Sequence, residues 1–212
     1  MKSLQFRKLA LAGLVALASV PASAITYTLN NGGSAFPTLG NYGTVELLQA
    51  GSDVTFTVTL AAGLNFVTTG NQGSHNTFNF NATGVVAGDI VNITDATPVA
   101  NEYGVWTPAG NSPFGTFTWG IHCLVCANGS GGQQADPLTF KVVNATIGDF
   151  QSFSTGGTAA YFAADVINGQ GVTGAVGVTD GPVPGIPEPE TYALMLAGLG
   201  AIGFMARRRR QA

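Results

Sequence analysis

Apolar and polar residues alternate one for one over residues 53–60: Val54, Phe56, Val58 and Leu60 fall on one side, and Thr55, Thr57 and Thr59 on the other. A pleated chain points successive side chains to opposite faces, so this stretch predicts a half-buried strand. Residues 43–49 precede it across Ala50-Gly51-Ser52, and together they predict a hairpin. The same alternation marks residues 76–81, with Phe78 and Phe80 inward, and 137–143, with Leu138, Phe140 and Val142 inward. Residues 89–94 read as another strand. Residues 115–121 read as one strand whose Phe117, Trp119 and Ile121 share a face. A glycine-interrupted strand follows near 172–179, while 161–167 fits helix and strand alike. Residues 97–114 and 127–135 read as weakly structured, the second as a flexible loop. No segment before Thr191 sustains a helical stripe, and no fixed-period repeat occurs. Short strands at this spacing predict an all-β body over residues 25–180, a two-sheet sandwich of jelly-roll-like type.

The two ends follow another pattern. Lys2, Arg7 and Lys8 precede an apolar run at 9–20, Pro21 breaks it, and Ala22-Ser23-Ala24 presents small residues at a cleavage position. Residues 1–24 therefore read as a secretory signal peptide, with Ala22 and Ala24 marking its cleavage and the mature chain starting at Ile25. At the other end, Pro182, Pro184 and Pro187 predict an extended linker over 181–190. An apolar run at 191–206 follows, then an Arg-rich tail at 207–212. As a helix the run reaches about 24 Å, short of the ~30 Å hydrocarbon core, a gap that snorkelling arginines can close. It is expected to be a transmembrane segment. Arg207, Arg208, Arg209 and Arg210 form its membrane stop, and the positive-inside rule places them in the cytoplasm and the body outside.

Composition changes one part of this picture. Glycine supplies 30 residues and charged residues only 9%, against about 25% charged in ordinary soluble domains, which suits tight turns and short strands. The net charge of −3 conceals an acidic body, because Lys141 is the only cation between Ile25 and Ile186, against nine carboxylates. One cation cannot form a phosphate-binding footprint, so nucleic acid is excluded as a partner.

From Val183 the chain reads Val-Pro-Gly-Ile-Pro187-Glu188-Pro189-Glu190, then the apolar run, then four arginines. This arrangement resembles the PEP-CTERM sorting signal of Gram-negative bacteria. The resemblance implies an exosortase-type processing enzyme as partner, with Pro187, Glu188 and Pro189 as its recognition element. It further implies inner-membrane anchoring before processing, then delivery to the cell surface or an exopolysaccharide matrix. Residues 41–47, 115–129 and 161–166 are similar to one uncharacterised kind of PEP-CTERM ectodomain, which brings no activity with it.

Within the body the candidate chemistry is sparse. Cys123-Leu-Val-Cys126 reads first as a disulfide in an oxidising compartment. A redox pair wants a βαβ context, zinc wants a second ligand pair, and a haem attachment wants His at position 127, which is Ala. Ser74 and His75 adjoin, but no nucleophile elbow surrounds Ser74. No cofactor is assigned. Calcium is the one candidate ion, with Asp89 and Asp95, or Asp165 and Asn168, as possible oxygen ligands. Tyr42, Tyr103, Trp106 and Phe114 fall in predicted loops and are the candidate platform for stacking sugar rings. The leading expectation is a non-enzymatic exported surface or matrix protein. A polysaccharide-binding module is the alternative, and an extracellular hydrolase a third reading.

Overall fold

The computed structural model describes residues 23–70, 73–99, 102–184, 195–200, 202 and 207. Its strands in chain order are β1 Ser23–Thr28, β2 Gly43–Ala50, β3 Asp53–Leu60, β4 Leu64–Phe66, β5 Phe78–Phe80, β6 Ile90–Thr94, β7 Tyr103–Trp106, β8 Ala109–Asn111, β9 Gly115–Phe117, β10 Trp119–Cys123, β11 Leu138–Val142, β12 Phe162–Asn168, β13 Thr173–Val178 and β14 Val183–Pro184. The alternating stretch is β3, hairpinned to β2 through eight residue pairs. One sheet runs β14-β1-β2-β3-β11-β6 and a second β13-β12-β5-β10-β7, with β4 beside β12. The protein is an all-β sandwich.

Both sheets feed one core. β3 and β11 place Phe56 opposite Phe140, and their rings stack with centroids 4.5 Å apart. Phe150 meets Phe56 edge-on at 4.8 Å, and Phe78, Phe80 and Phe162 close the cluster from the second sheet. Aromatic pairs in such geometries contribute about 0.5–1.5 kcal/mol each beyond the burial of their surface.

The second sheet also carries a third layer. Ala163 and Ala175 alternate with core residues along β12 and β13 and so project to the outer face, where Phe114 and Phe117 pack on them in a separate small cluster. The β8–β9 hairpin brings these phenylalanines there. Gly177 is what permits the approach, since a Cβ at that position would lie 2.6 Å from the Phe114 ring.

Three sequence expectations are corrected by this arrangement. Residues 115–121 form two strands, not one: Asn81 Oδ1 accepts hydrogen bonds from both the N–H and the hydroxyl of Thr118, at 2.9 and 3.2 Å. The chain turns there, so Phe117 joins the outer cluster while Trp119 and Ile121 stay in the main core. The linker expected over 181–190 contains a short strand, because Val183 and Pro184 pair with Thr26 and Ile25 of β1. Proline tolerates this position because an edge strand does not need its missing N–H. Residues 97–114, read as weakly structured, contain β7 and β8.

The ambiguous stretch at 161–167 becomes β12, whose residues Phe162 to Ile167 are all buried. Covered on both faces, it has no reason to alternate.

The signal peptide expected at 1–24 lies outside the described residues except for Ser23 and Ala24, which open β1. Residues 195–200 are helical. Among the described residues no helix is long and apolar enough to cross a membrane. Most of the predicted segment at 191–206 lies outside them, as do Pro187, Glu188, Pro189 and Arg208 to Arg210.

Candidate functional site

The edge of β12 is shared end to end by β4 and β5, which pair with residues 166–168 and 162–164. Asp165 sits at the junction, where the chain between β4 and β5 leaves the sheet. Backbone bonds hold both flanks of that excursion: the Val67 N–H donates to the Asp165 carbonyl at 3.0 Å, and the Asp165 N–H to the Thr77 carbonyl at 3.3 Å. Its described residues, 67–70 and 73–77, are mainly polar and lie over the outer face of the second sheet. Thr68, Asn76 and Thr77 are buried in it.

Many of the buried polar groups sort into short networks, while Asn76 Nδ2, Asn79 Nδ2 and Asp165 Oδ1 have no hydrogen-bond partner among the described residues. The Thr68 and Thr77 hydroxyls lie 3.0 Å apart, and Thr77 donates to Gln134 Oε1 at 2.9 Å. Asn76 Oδ1 lies 3.2 Å from Nδ1 of His122. Burial holds the His122 pKa below the ordinary 6.5. Asp165, with no exposed surface, accepts a hydrogen bond from the Thr69 hydroxyl at Oδ2. Its Oδ1 faces the Nδ1 of His75 at 3.5 Å. The carboxylate raises the His75 pKa above 6.5, against partial burial, which lowers it.

His75 reaches Asp165 from a left-handed backbone position, φ 48°. Such a conformation is uncommon for a residue with a side chain and persists where its surroundings enforce it. Here β8 enforces it: the His75 N–H donates to the Gly110 carbonyl at 2.9 Å, and the Gly110 N–H to the Gly73 carbonyl at 2.8 Å.

These elements line an open pocket of about 250 Å³. Ser74 and His75 come from the excursion, Gly110 and Asn111 from β8, and Ser112 and Pro113 from the hairpin turn. Gly115 and Thr116 of β9 and Gly156 complete the wall. Asn111 is only 1% exposed, and its Nδ2 donates to Asn79 Oδ1 at 3.1 Å. Its Oδ1 has no hydrogen-bond partner among the described residues. No hydrogen bond among them joins His75 to Ser74 or Ser112, so the histidine is positioned by a carboxylate without an aligned serine nucleophile.

The predicted aromatic platform is not assembled. Tyr42 is buried and donates its hydroxyl to the Pro37 carbonyl at 2.6 Å. Phe114 is fully buried in the outer cluster. Tyr103 is half-buried in β7 and donates to Asp95 Oδ2 at 3.0 Å, and burial with that neighbouring carboxylate pushes its pKa far up. Trp106 alone is open, at 41% exposure. It lies against Gly73, where a Cβ would come within 2.9 Å of its Cδ1, and so adjoins the pocket wall at Ser74.

Cys123 and Cys126 are joined in a disulfide with Cα atoms 5.5 Å apart. The Glu102 carboxylate completes a group whose ligand atoms lie within 4.8 Å of one another, a proximity that sequence spacing could not reveal. Burial raises the Glu102 pKa. As a disulfide the sulfurs lack the thiolate charge that holds a metal, and His122 is engaged elsewhere with Asn76.

Neither candidate calcium pair comes together as a ligand set. Asp95 is engaged by the Thr97 and Ala135 N–H groups and the Tyr103 hydroxyl, while Asp89 accepts from the Val86 N–H across its own turn. Asp165 and Asn168 stand three apart on β12 and so project to opposite faces. Asn168 instead accepts from the N–H groups of Gln170 and Val172.

Fold and chain end together define an exported β-sandwich with a processing tail. The chain carries the PEP-CTERM protein-sorting motif, whose family model matches residues 185–210, and it is thereby a secreted protein sorted by an exosortase. No curated protein and no solved structure matches the chain.

Proposed function

We propose that the protein is a non-enzymatic component of the cell surface or exopolysaccharide matrix, anchored in the inner membrane by its tail until an exosortase removes it. The observation that carries this reading is a junction. The last strand ends at Pro184 and the matched motif starts at 185. Processing near Pro187 to Pro189 therefore leaves every core residue in place, and the released body is a complete sandwich. An epitope placed after Ala212 is expected to be absent from surface material of exosortase-positive cells and retained in cells lacking the enzyme. Retention in both would replace this reading with a permanent single-pass anchor.

A second reading, a polysaccharide-binding module, is favoured by Trp106, which stands exposed beside a polar pocket. Retention of the exported protein on the host's own exopolysaccharide, lost on adding soluble polysaccharide, supports it. Flow-through without retention removes it.

A further inference from the structure

We infer that the pocket between Ser74 and His75 and the β8–β9 hairpin is a binding site for a single neutral sugar ring. The inference rests on the polysaccharide reading for the source of that ring, and on the pocket itself for its chemistry. Its volume of about 250 Å³ lies just below the range of pockets that enclose drug-sized ligands, about 300–1,000 Å³, so one small ring is the occupant it fits.

The groups around it are matched to hydroxyls. Asn111 lines the wall, and the hydrogen bond from its Nδ2 to Asn79 Oδ1 holds that side chain in place. Ser74, Ser112 and Thr116 supply hydroxyls that donate or accept as the ligand requires. His75 Nδ1 faces Asp165 Oδ1 at 3.5 Å. Its Nε2 has no partner among the described residues and is available for one directional hydrogen bond.

Charge settles the ligand class. Lys141, the only Lys or Arg between Ile25 and Ile186, sits on β11 of the other sheet, 3.4 Å from Asp53. No lysine or arginine can therefore neutralise a phosphate, sulfate or uronate in this pocket. A net-negative body with buried Asp165 behind the site further disfavours an anion. The exposed Trp106 indole, against Gly73, gives the C–H face of an adjoining ring a flat apolar surface.

The test is an NMR titration of exported, processed protein with methyl glycosides of glucose, galactose and N-acetylglucosamine, a short oligomer of each, and sodium galacturonate. Saturable amide shifts centred on Ser74, His75, Gly110 and Thr116 are expected with at least one neutral glycoside, and none with galacturonate. Equal affinity for glycoside and oligomer identifies one ring as the recognised unit; tighter binding of the oligomer places the ring within a polysaccharide. Thr116→Trp fills the pocket from an exposed position, sparing the core, and should weaken binding about tenfold or more. Absence of saturable shifts with every neutral probe, equal binding of galacturonate, or unchanged binding by Thr116→Trp would overturn the assignment. Polysaccharide retention with a silent pocket overturns this site alone; loss of retention with an active pocket overturns only the polysaccharide source.

Discussion

His75 Nδ1 stands 3.5 Å from Oδ1 of Asp165, a carboxylate with no surface of its own. The pairing fixes the sign of a pH dependence. Because the His75 pKa is raised from 6.5 in the fold, its contribution to stability is fully present below 6.5 and is lost as pH rises through the raised value. His122 acts oppositely: burial lowers its pKa, so stability is lost as pH falls below 6.5 toward the lowered value. NMR titration of the two imidazoles is expected to give midpoints on either side of 6.5. Asp165→Asn should bring the His75 midpoint down and leave that of His122 in place. A common midpoint in the wild-type protein would contradict the pairing.

Phe56 touches four aromatic neighbours, Phe80, Phe140, Phe150 and Phe162. Phe56→Ala removes the ring on which both sheets converge and should destabilise the body by about 3–5 kcal/mol in urea unfolding. Leu39→Ser, at a position 82% exposed, should change stability by no more than about 0.5 kcal/mol. Equal effects would show that the core is not organised around Phe56.

Asn81 holds the point where β9 gives way to β10, accepting twice from Thr118 and donating to the Ser152 carbonyl at 3.2 Å. Asn81→Ala should cost about 1–3 kcal/mol through the orphaned groups. It should also speed hydrogen exchange at the Thr118 amide more than at Ile121. Unchanged exchange at Thr118 would mean that another contact sets the turn.

The Cys123–Cys126 bridge closes a loop of sequence separation three. So short a loop restricts the unfolded chain little, and replacing both cysteines by serine is expected to cost about 2 kcal/mol at most. Thermal melts of oxidised protein and double variant test this. A much larger loss would assign the bridge a packing role beside Glu102.

The main sheet was legible where one face of a strand is wet, as in β3 and β11, whose alternation survives translation into structure. β12 was not, because both its faces are covered and its sequence carries no period. The split at Thr118 was hidden for a different reason: Phe117 and Trp119 keep the spacing of one strand, while the residue that separates them, Asn81, lies elsewhere in sequence. The sorting tail was readable because its recognition is local. The pocket was not, since His75, Asn111 and Asp165 meet only after an excursion, a hairpin and a buried strand have been assembled. Choosing the platform by loop position and aromatic type took in Tyr42 and Phe114, which serve the interior, together with the exposed Trp106.

The short last strand has a mechanical consequence. Among the described residues two pairs, Ile25 with Pro184 and Thr26 with Val183, hold it to the sheet, whereas β13, the strand before it in the chain, is fastened to β12 through six residue pairs. Traction on the tail meets the weaker seam first and detaches β14, and the load then has to break a threefold longer ladder before it reaches the aromatic core. The sandwich thus has a sacrificial margin at the end that leads into the sorting motif.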